Sequence, residues 1–221
     1  ELKALKQLGI LTIANSDYVR SQLIANGLPA SQVVTLRCGI AEPTSSHTPL
    51  TKSVHQQKRI LFAGRIVPDK GLDWLLRAMP LIDPQIQLDI AGDGWAMSKV
   101  QQLAEDLRIG DRITWHGWCQ GEKLEDLYRN SFAVIFPSVW PEPAGLVTLE
   151  AYARFRAVIA SDVGGIPEHI QDDKTGLLVI PNQVEQLATA ITELALNFDK
   201  ARVLGIAGNE LFHNEFTLAI H

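Results

Sequence analysis

The sequence predicts an α/β protein built on a doubly wound parallel sheet. Two observations carry that expectation. Six short apolar runs, RILFAG, IQLDIAG, RITWHG, FAVIFPS, AVIAS and GLLVI, are spread over residues 59–180. The stretches between them place apolar residues at helical spacing with charges on the opposite side. Short apolar strands alternating with amphipathic helices imply parallel strands covered on both faces, and right-handed crossovers wind such a sheet both ways from its middle. Of the 221 residues 46% are apolar, enough to fill a sizeable core.

The elements follow in order. GILTIAN is a short strand candidate rich in β-branched residues. SDYVRSQLIANG is a helix with Ser16 or Asp17 at its N-cap and Gly27 at its C-terminal end. QVVTLRC is a second strand candidate. The character then changes, because IAEPTSSHTPLTKSVHQQK carries two prolines, several Ser and Thr and few large apolar residues. The expected boundaries are a strand-helix-strand segment over 1–41, a linker or hinge over 42–57, and the main domain over 58–221. Within that domain KGLDWLLRAM, AMSKVQQLAEDL, GEKLEDLYRN, the stretch after Gly145, and VEQLATAITELAL are the expected helices, with IPEHI a short turn. The chain opens on ELKALKQ without a start Met and ends on NEFTLAIH inside a helical pattern, so both ends look cut from a longer protein.

Several function classes are disfavoured. A net charge of −5 argues against a general nucleic-acid binder but allows a local basic pocket for a phosphate. Cys38 and Cys119 are in neither a metal nor a redox spacing, which suggests free thiols in a reducing compartment. No run approaches the roughly 18 apolar residues of a membrane-spanning helix. The six histidines are scattered and there is no Asp-x-Asp triplet, so no metal site is expected.

In doubly wound sheets ligands bind beyond the carboxyl ends of the strands, at the point where the strand order reverses. The loops that follow the strands are therefore the places to look. AGRIVPDKG puts Gly64 at a tight turn, and Arg65 and Lys70 beside a helix N-terminus, where backbone N–H groups already favour an anion. Two cations so placed repel each other unless an anion lies between them, although a solvated turn accounts for this loop equally well. AGDG, residues 91–94, is half of a dinucleotide fingerprint and by itself an ordinary strand-to-helix turn. HGWCQGEKL sets Trp118 and Cys119 where a nucleobase could lie, or where an aromatic simply packs. His116 is a core or surface histidine by the same reasoning.

The loop after FAVIFPS is PEPAGLVTLE, which places Glu142 and Glu150 with seven residues between them. Paired carboxylates suggest a glycosidase acid and base. However, the helix starts near Gly145 or Leu146, putting Glu142 in the loop and Glu150 about one turn inside. A carboxylate near a helix N-terminus is favoured as the anion and makes a poor general acid; it is better suited to accept hydrogen bonds from a vicinal diol such as a ribose. ASDVGGIPEH adds Gly164 and Gly165, which permit close backbone approach, and Pro167 at the start of a short helix.

Together the loops resemble the donor-binding half of a retaining glycosyltransferase of the large family that includes sucrose-phosphate synthases and phosphatidylinositol mannosyltransferases (glycosyltransferase family four). The matching features are G-R-x-x-x-x-K-G at Gly64–Gly71, A-G-D-G, E-x7-E at Glu142–Glu150, and V-G-G-I-P-E at Val163–Glu168. Of these only E-x7-E with its surroundings is specific; the rest gain weight from their order, and the likeness covers about residues 10–196. It implies a GT-B enzyme of two Rossmann-like domains, of which this chain holds the second and the closing strand-helix-strand of the first. By position, Arg65 and Lys70 would bind the diphosphate of a nucleoside diphosphate sugar, and Glu142 the hydroxyls of its sugar; these three are the candidate catalytic residues. Gly64, Ala144, Gly145, Leu146 and Val147 would approach sugar and phosphate, Glu150 would take the ribose, and Trp118 and Cys119 would border the base. No cofactor or metal is implied, and the acceptor would be bound mainly by the missing domain. The resemblance further implies a cytoplasmic enzyme, any peripheral attachment to the inner membrane face belonging to the missing parts. Two departures stand out: Ala144 replaces the usual aromatic, and the usual small-Gly-x-Pro pattern becomes Ala153, Phe155 and Ala157. The competing readings are a sugar-nucleotide epimerase of the same architecture and a binding module that lost transfer.

Overall fold

The computed structural model describes residues 2–220. The N-terminal segment comprises helix α1 (Leu2–Leu8), strand β1 (Thr12–Ala14), helix α2 (Asp17–Ala25) and strand β2 (Val33–Thr35). Of the two candidate caps Ser16 is the one used: its Oγ accepts the Val19 amide, and Asp17 is the first helical residue. β1 and β2 pair in parallel and close a small cluster of Ala14, Leu28 and Val33. The strand-helix-strand order matches expectation; α1 was not anticipated.

Residues 42–57 are not all linker. Thr51 caps helix α3 (Lys52–Gln56) by accepting the Val54 amide. Leu50 is buried in the main core, and His55 Nε2 donates to the Leu194 carbonyl at 2.8 Å. The Ser, Thr and Pro that suggest a linker here include a helix cap.

The main domain runs β3 (Arg59–Ala63), α4 (Leu72–Ala78), β4 (Gln87–Ala91), α5 (Met97–Asp106), β5 (Ile113–Gly117), α6 (Glu122–Asn130), β6 (Ala133–Phe136), α7 (Leu146–Tyr152), β7 (Ala157–Ser161), β8 (Leu177–Val179), α8 (Val184–Leu196) and α9 (Phe198–Glu215). All six expected strands form one sheet in the order β5-β4-β3-β6-β7-β8, every pair parallel. Side chains alternate across it: Ile60 and Phe62 face a core shared with Leu75, Val100 and Ile191, while Leu61 and Val134 face Tyr128, Leu149 and Phe212. The chain winds outward from β3 to β5, crosses back to β6, and winds out again to β8. The reversal point is the seam between β3 and β6, where such sheets bind ligands.

The sequence pattern did not set α9 apart, because Gly205 and Gly208 interrupt it. Both glycines let the helix sit close to the loop after α7: a Cβ on Gly205 would lie 2.4 Å from the Phe155 carbonyl oxygen, and one on Gly208 2.3 Å from the Tyr152 ring. The expectation that the chain ends inside a helix is corrected. α9 stops at Glu215, and the backbone turns back so that Ile40 donates to the Phe216 carbonyl at 2.9 Å. Phe155 has φ +57, a left-handed conformation that favours glycine, at the position where the resembled pattern has one. Among the described residues no helix is long and apolar enough to cross a membrane.

Candidate functional site

Three glycine-dependent contacts shape the loop after β3. Gly64 donates to the Ala91 carbonyl at 3.0 Å and Ile66 to Asp93 at 2.8 Å, so the AGDG turn is the seat of this loop. A Cβ on Gly92 would come 1.8 Å from the Gly64 oxygen, and one on Gly94 2.2 Å from that of Ile66. Gly71, at φ +69 ahead of α4, lies against the end of β6; there a Cβ would meet the Pro137 oxygen at 1.9 Å. These close approaches lock the loops of the two central strands together.

Lys70 and Glu142 meet across that seam. Lys70 Nζ donates to Glu142 Oε1 at 2.6 Å, and the buried Ser138 hydroxyl donates to the same oxygen at 2.6 Å. The repulsion anticipated between Arg65 and Lys70 is thus relieved in part by the protein itself, since Glu142 supplies an anion to Lys70. The exposed Arg65 makes no hydrogen bond or ion pair among the described residues.

Gly164 and Gly165 allow close approach, but of this chain's own loop. Gly165 donates to the Glu142 carbonyl at 2.7 Å, and Cβ atoms on the pair would lie 2.5 and 2.4 Å from the Glu142 and Pro143 oxygens. Gly145 precedes α7 at φ +66, with a Cβ position 2.9 Å from Ile166 Cγ1. Its lack of a side chain serves the turn and the packing on Ile166.

A cavity of about 340 Å³ is lined by Gly64, Arg65, Trp118, Cys119, Val147 and Glu150, together with Gln120 and Leu124. Six of the eleven candidate residues therefore converge on one space, of a size that suits a small-molecule ligand. Lys70, Glu142, Ala144, Gly145 and Leu146 do not line it. Ala144 is buried, and Leu146 points outward at the start of α7. Trp118 is 68% exposed and offers its ring at the rim, while the buried Cys119 thiol lies 3.4 Å from the Gly117 carbonyl.

Glu150 is the fifth residue of α7, and its Oε2 accepts the Tyr128 hydroxyl at 3.0 Å. His116 is committed elsewhere: its Nε2 lies 2.6 Å from Asp89 Oδ1, and Arg59 forks onto both oxygens of that carboxylate. Burial favours protonation of Asp89, but hydrogen bonds from Arg59 and His116 outweigh it and hold the carboxyl below its ordinary range. Ser138 and Tyr128, missed in the sequence, carry no motif signal; each resembles an ordinary residue at a strand or helix end.

Residues 49–210 match the family described as "Glycosyl transferases group 1". The chain belongs to this family. The group 1 match takes in the whole cavity and the Lys70–Glu142 pair. Among curated relatives, the chain is 29% identical over 211 residues to a GDP-mannose-dependent alpha-(1-6)-phosphatidylinositol monomannoside mannosyltransferase of Mycobacterium tuberculosis, covering 88% of this chain and 55% of that protein. It is 37% identical over 175 residues to an alpha-maltose-1-phosphate synthase of Mycolicibacterium smegmatis, covering 72% and 44%. The chain thus spans about half the length of these curated relatives. Its fold is that of GT-B glycosyltransferases. Anabaena HepE in complex with UDP and glucose superposes with a TM-score of 0.86 at 22% identity, over 99% of this chain and 63% of that one. The sucrose-phosphate synthase of Thermosynechococcus elongatus gives 0.84 at 27% identity, over 99% and 58%.

Proposed function

We propose that this chain is the donor-binding half of a retaining glycosyltransferase that moves a hexose-type sugar from a nucleoside diphosphate sugar to an acceptor. The observation that carries the reading is the cavity in which Arg65, Glu150, Trp118 and Val147 converge. A base at Trp118 and Cys119 and a ribose on Glu150 put the diphosphate toward Arg65 and the seam. The HepE structure with UDP-glucose supports the same class of ligand.

In this scheme the bond from the anomeric carbon to the diphosphate oxygen breaks, and a bond to the acceptor oxygen forms on the same face. The leaving phosphate takes the acceptor's proton. Arg65 and Lys70 lower the barrier by stabilising the charge that develops on the diphosphate. Lys70 exchanges Glu142 for a phosphate oxygen, which frees Glu142 to accept from sugar hydroxyls. No metal is needed for these steps, and the acceptor lies mainly on a domain beyond this chain.

Calorimetric titration with UDP, GDP and ADP tests the reading. Saturable binding of at least one is expected, weakened about tenfold or more by Arg65→Ala or Lys70→Ala, in line with the loss of a charged hydrogen bond. A folded sample that binds none of the three would overturn the donor-site reading. Unchanged affinity in both variants would remove their diphosphate role. Transfer by this chain alone should be negligible, and turnover would disprove the need for a second domain.

A further inference from the structure

Behind Glu150 lies a buried polar chain that the proposed transfer does not use. Tyr128 on α6 is fully buried, and its hydroxyl donates to Glu150 Oε2 at 3.0 Å. The Arg154 guanidinium stacks on the Tyr128 ring with its centre 4.6 Å from the centroid. Its Nη1 donates to the Glu150 main-chain carbonyl at 2.8 Å. Its Nε and Nη2 fork onto the buried carboxylate of Glu125 at 2.7 and 2.6 Å, and His47 Nε2 donates to that same carboxylate at 2.7 Å. An apolar cluster of equal volume would pack this space at least as stably, because buried charges are costly to desolvate. What such a cluster would not do is hold a carboxylate in one orientation.

We propose that Tyr128 is a positioning residue, which grips Glu150 from behind through Oε2 so that the carboxylate faces the 340 Å³ cavity ready to accept from a ribose diol. Arg154 secures both parts, since it stacks on the tyrosine ring and holds the backbone of the glutamate. The rotamer freedom that Glu150 would lose on binding is thereby lost beforehand. Burial, with the Glu150 charge adding to it, raises the Tyr128 phenol well above its ordinary range, so it stays a donor at any working pH. This inference rests on the assignment of Glu150 to the ribose.

Tyr128→Phe keeps the ring and the stacking and removes only the hydroxyl. The measurement is the affinity of wild type and variant for UDP, GDP and ADP, each compared with its 2′,3′-dideoxy form. Wild type should prefer the ribose form of whichever diphosphate it binds by about tenfold or more. Tyr128→Phe should lose most of that preference and keep its affinity for the dideoxy form within about twofold; a merely structural defect would weaken both forms alike. If the variant keeps the full preference, Tyr128 does not position Glu150, and the ribose assignment stands. If wild type shows no preference, the ribose assignment fails and the proposal with it. Should Tyr128→Phe not fold, Arg154→Lys keeps the buried charge but breaks the fork and the carbonyl bond. A partial loss of preference is then expected, and an unchanged preference overturns the part of the proposal in which Arg154 secures the grip on Glu150.

Discussion

Lys70 Nζ lies 2.6 Å from Glu142 Oε1, so the cation at the seam of the sheet is already paired before any ligand arrives. The pair is mostly shielded, with 18% and 11% of the two side chains exposed, and Ser138 shares the same carboxylate oxygen. A diphosphate must compete with Glu142 for Lys70. A donor that also offers sugar hydroxyls repays Glu142 for the loss.

Glu142→Gln removes the competitor. A free nucleoside diphosphate should bind the variant tighter, by roughly fivefold if the displaced pair is worth about 1 kcal/mol. The same diphosphate carrying its sugar should gain less, because Gln accepts more weakly from hydroxyls than a carboxylate does. Titration of both ligands checks this, and weaker binding of the bare diphosphate would rule out competition for Lys70.

Glu168 ties the N-terminal segment to the main domain. Its two oxygens accept the Asp17 and Tyr18 amides at 2.8 and 2.7 Å, and Arg37 approaches to 3.6 Å. Glu168→Ala strands two amides at the start of α2 and should cost about 1–3 kcal/mol. Urea unfolding should register that loss, and limited proteolysis should cut residues 1–41 away faster. A variant that matches wild type in both assays would show that other contacts hold the segment.

His169 makes stability depend on pH. Its ring is buried against Phe216 at 4.9 Å, neither nitrogen has a hydrogen-bond partner of good geometry, and the Gly145 backbone offers at most a weak one. Burial pushes its imidazole down to about 4, Glu168 opposing that only in part. The unfolded chain, with an ordinary value near 6.5, takes up the proton first as pH falls. Stability from this group is therefore complete above about pH 6.5 and is lost progressively toward pH 4, by about 3 kcal/mol. His169→Phe should flatten that part of the curve. Urea midpoints of wild type and variant at pH 7 and pH 4.5 provide the comparison, and parallel curves would exclude His169 as the source.

Much of the fold was legible because strand and helix periods are local properties. The six strand runs, the helix start near Gly145 or Leu146 and the position of Glu150 about one turn inside α7 follow from neighbours in sequence. So does the placing of candidate residues in loops after strands, and six of them line one cavity. Elements failed where tertiary contact overrides local preference. Gly205 and Gly208 break the pattern of α9 because the backbone of Phe155 and the ring of Tyr152 occupy the space a Cβ would need. The glycines at 164 and 165 signal close approach correctly, but what approaches is this chain's own backbone, and Gly92 and Gly94, which read as an ordinary turn, make approaches just as close.

By itself, the sequence determined which segments are strands and helices, that the sheet is parallel, and which loops gather at its carboxyl edge, because apolar period and turn chemistry act over a few residues. Only the tertiary structure decided which side chains share a charge or a proton there. Lys70 meets Glu142 across 72 positions, and Tyr128 meets Glu150 across 22, because β3 lies beside β6 and because α6 and α7 share the core on one face of the sheet. Those partnerships depend on strand order and helix packing, which no local pattern encodes.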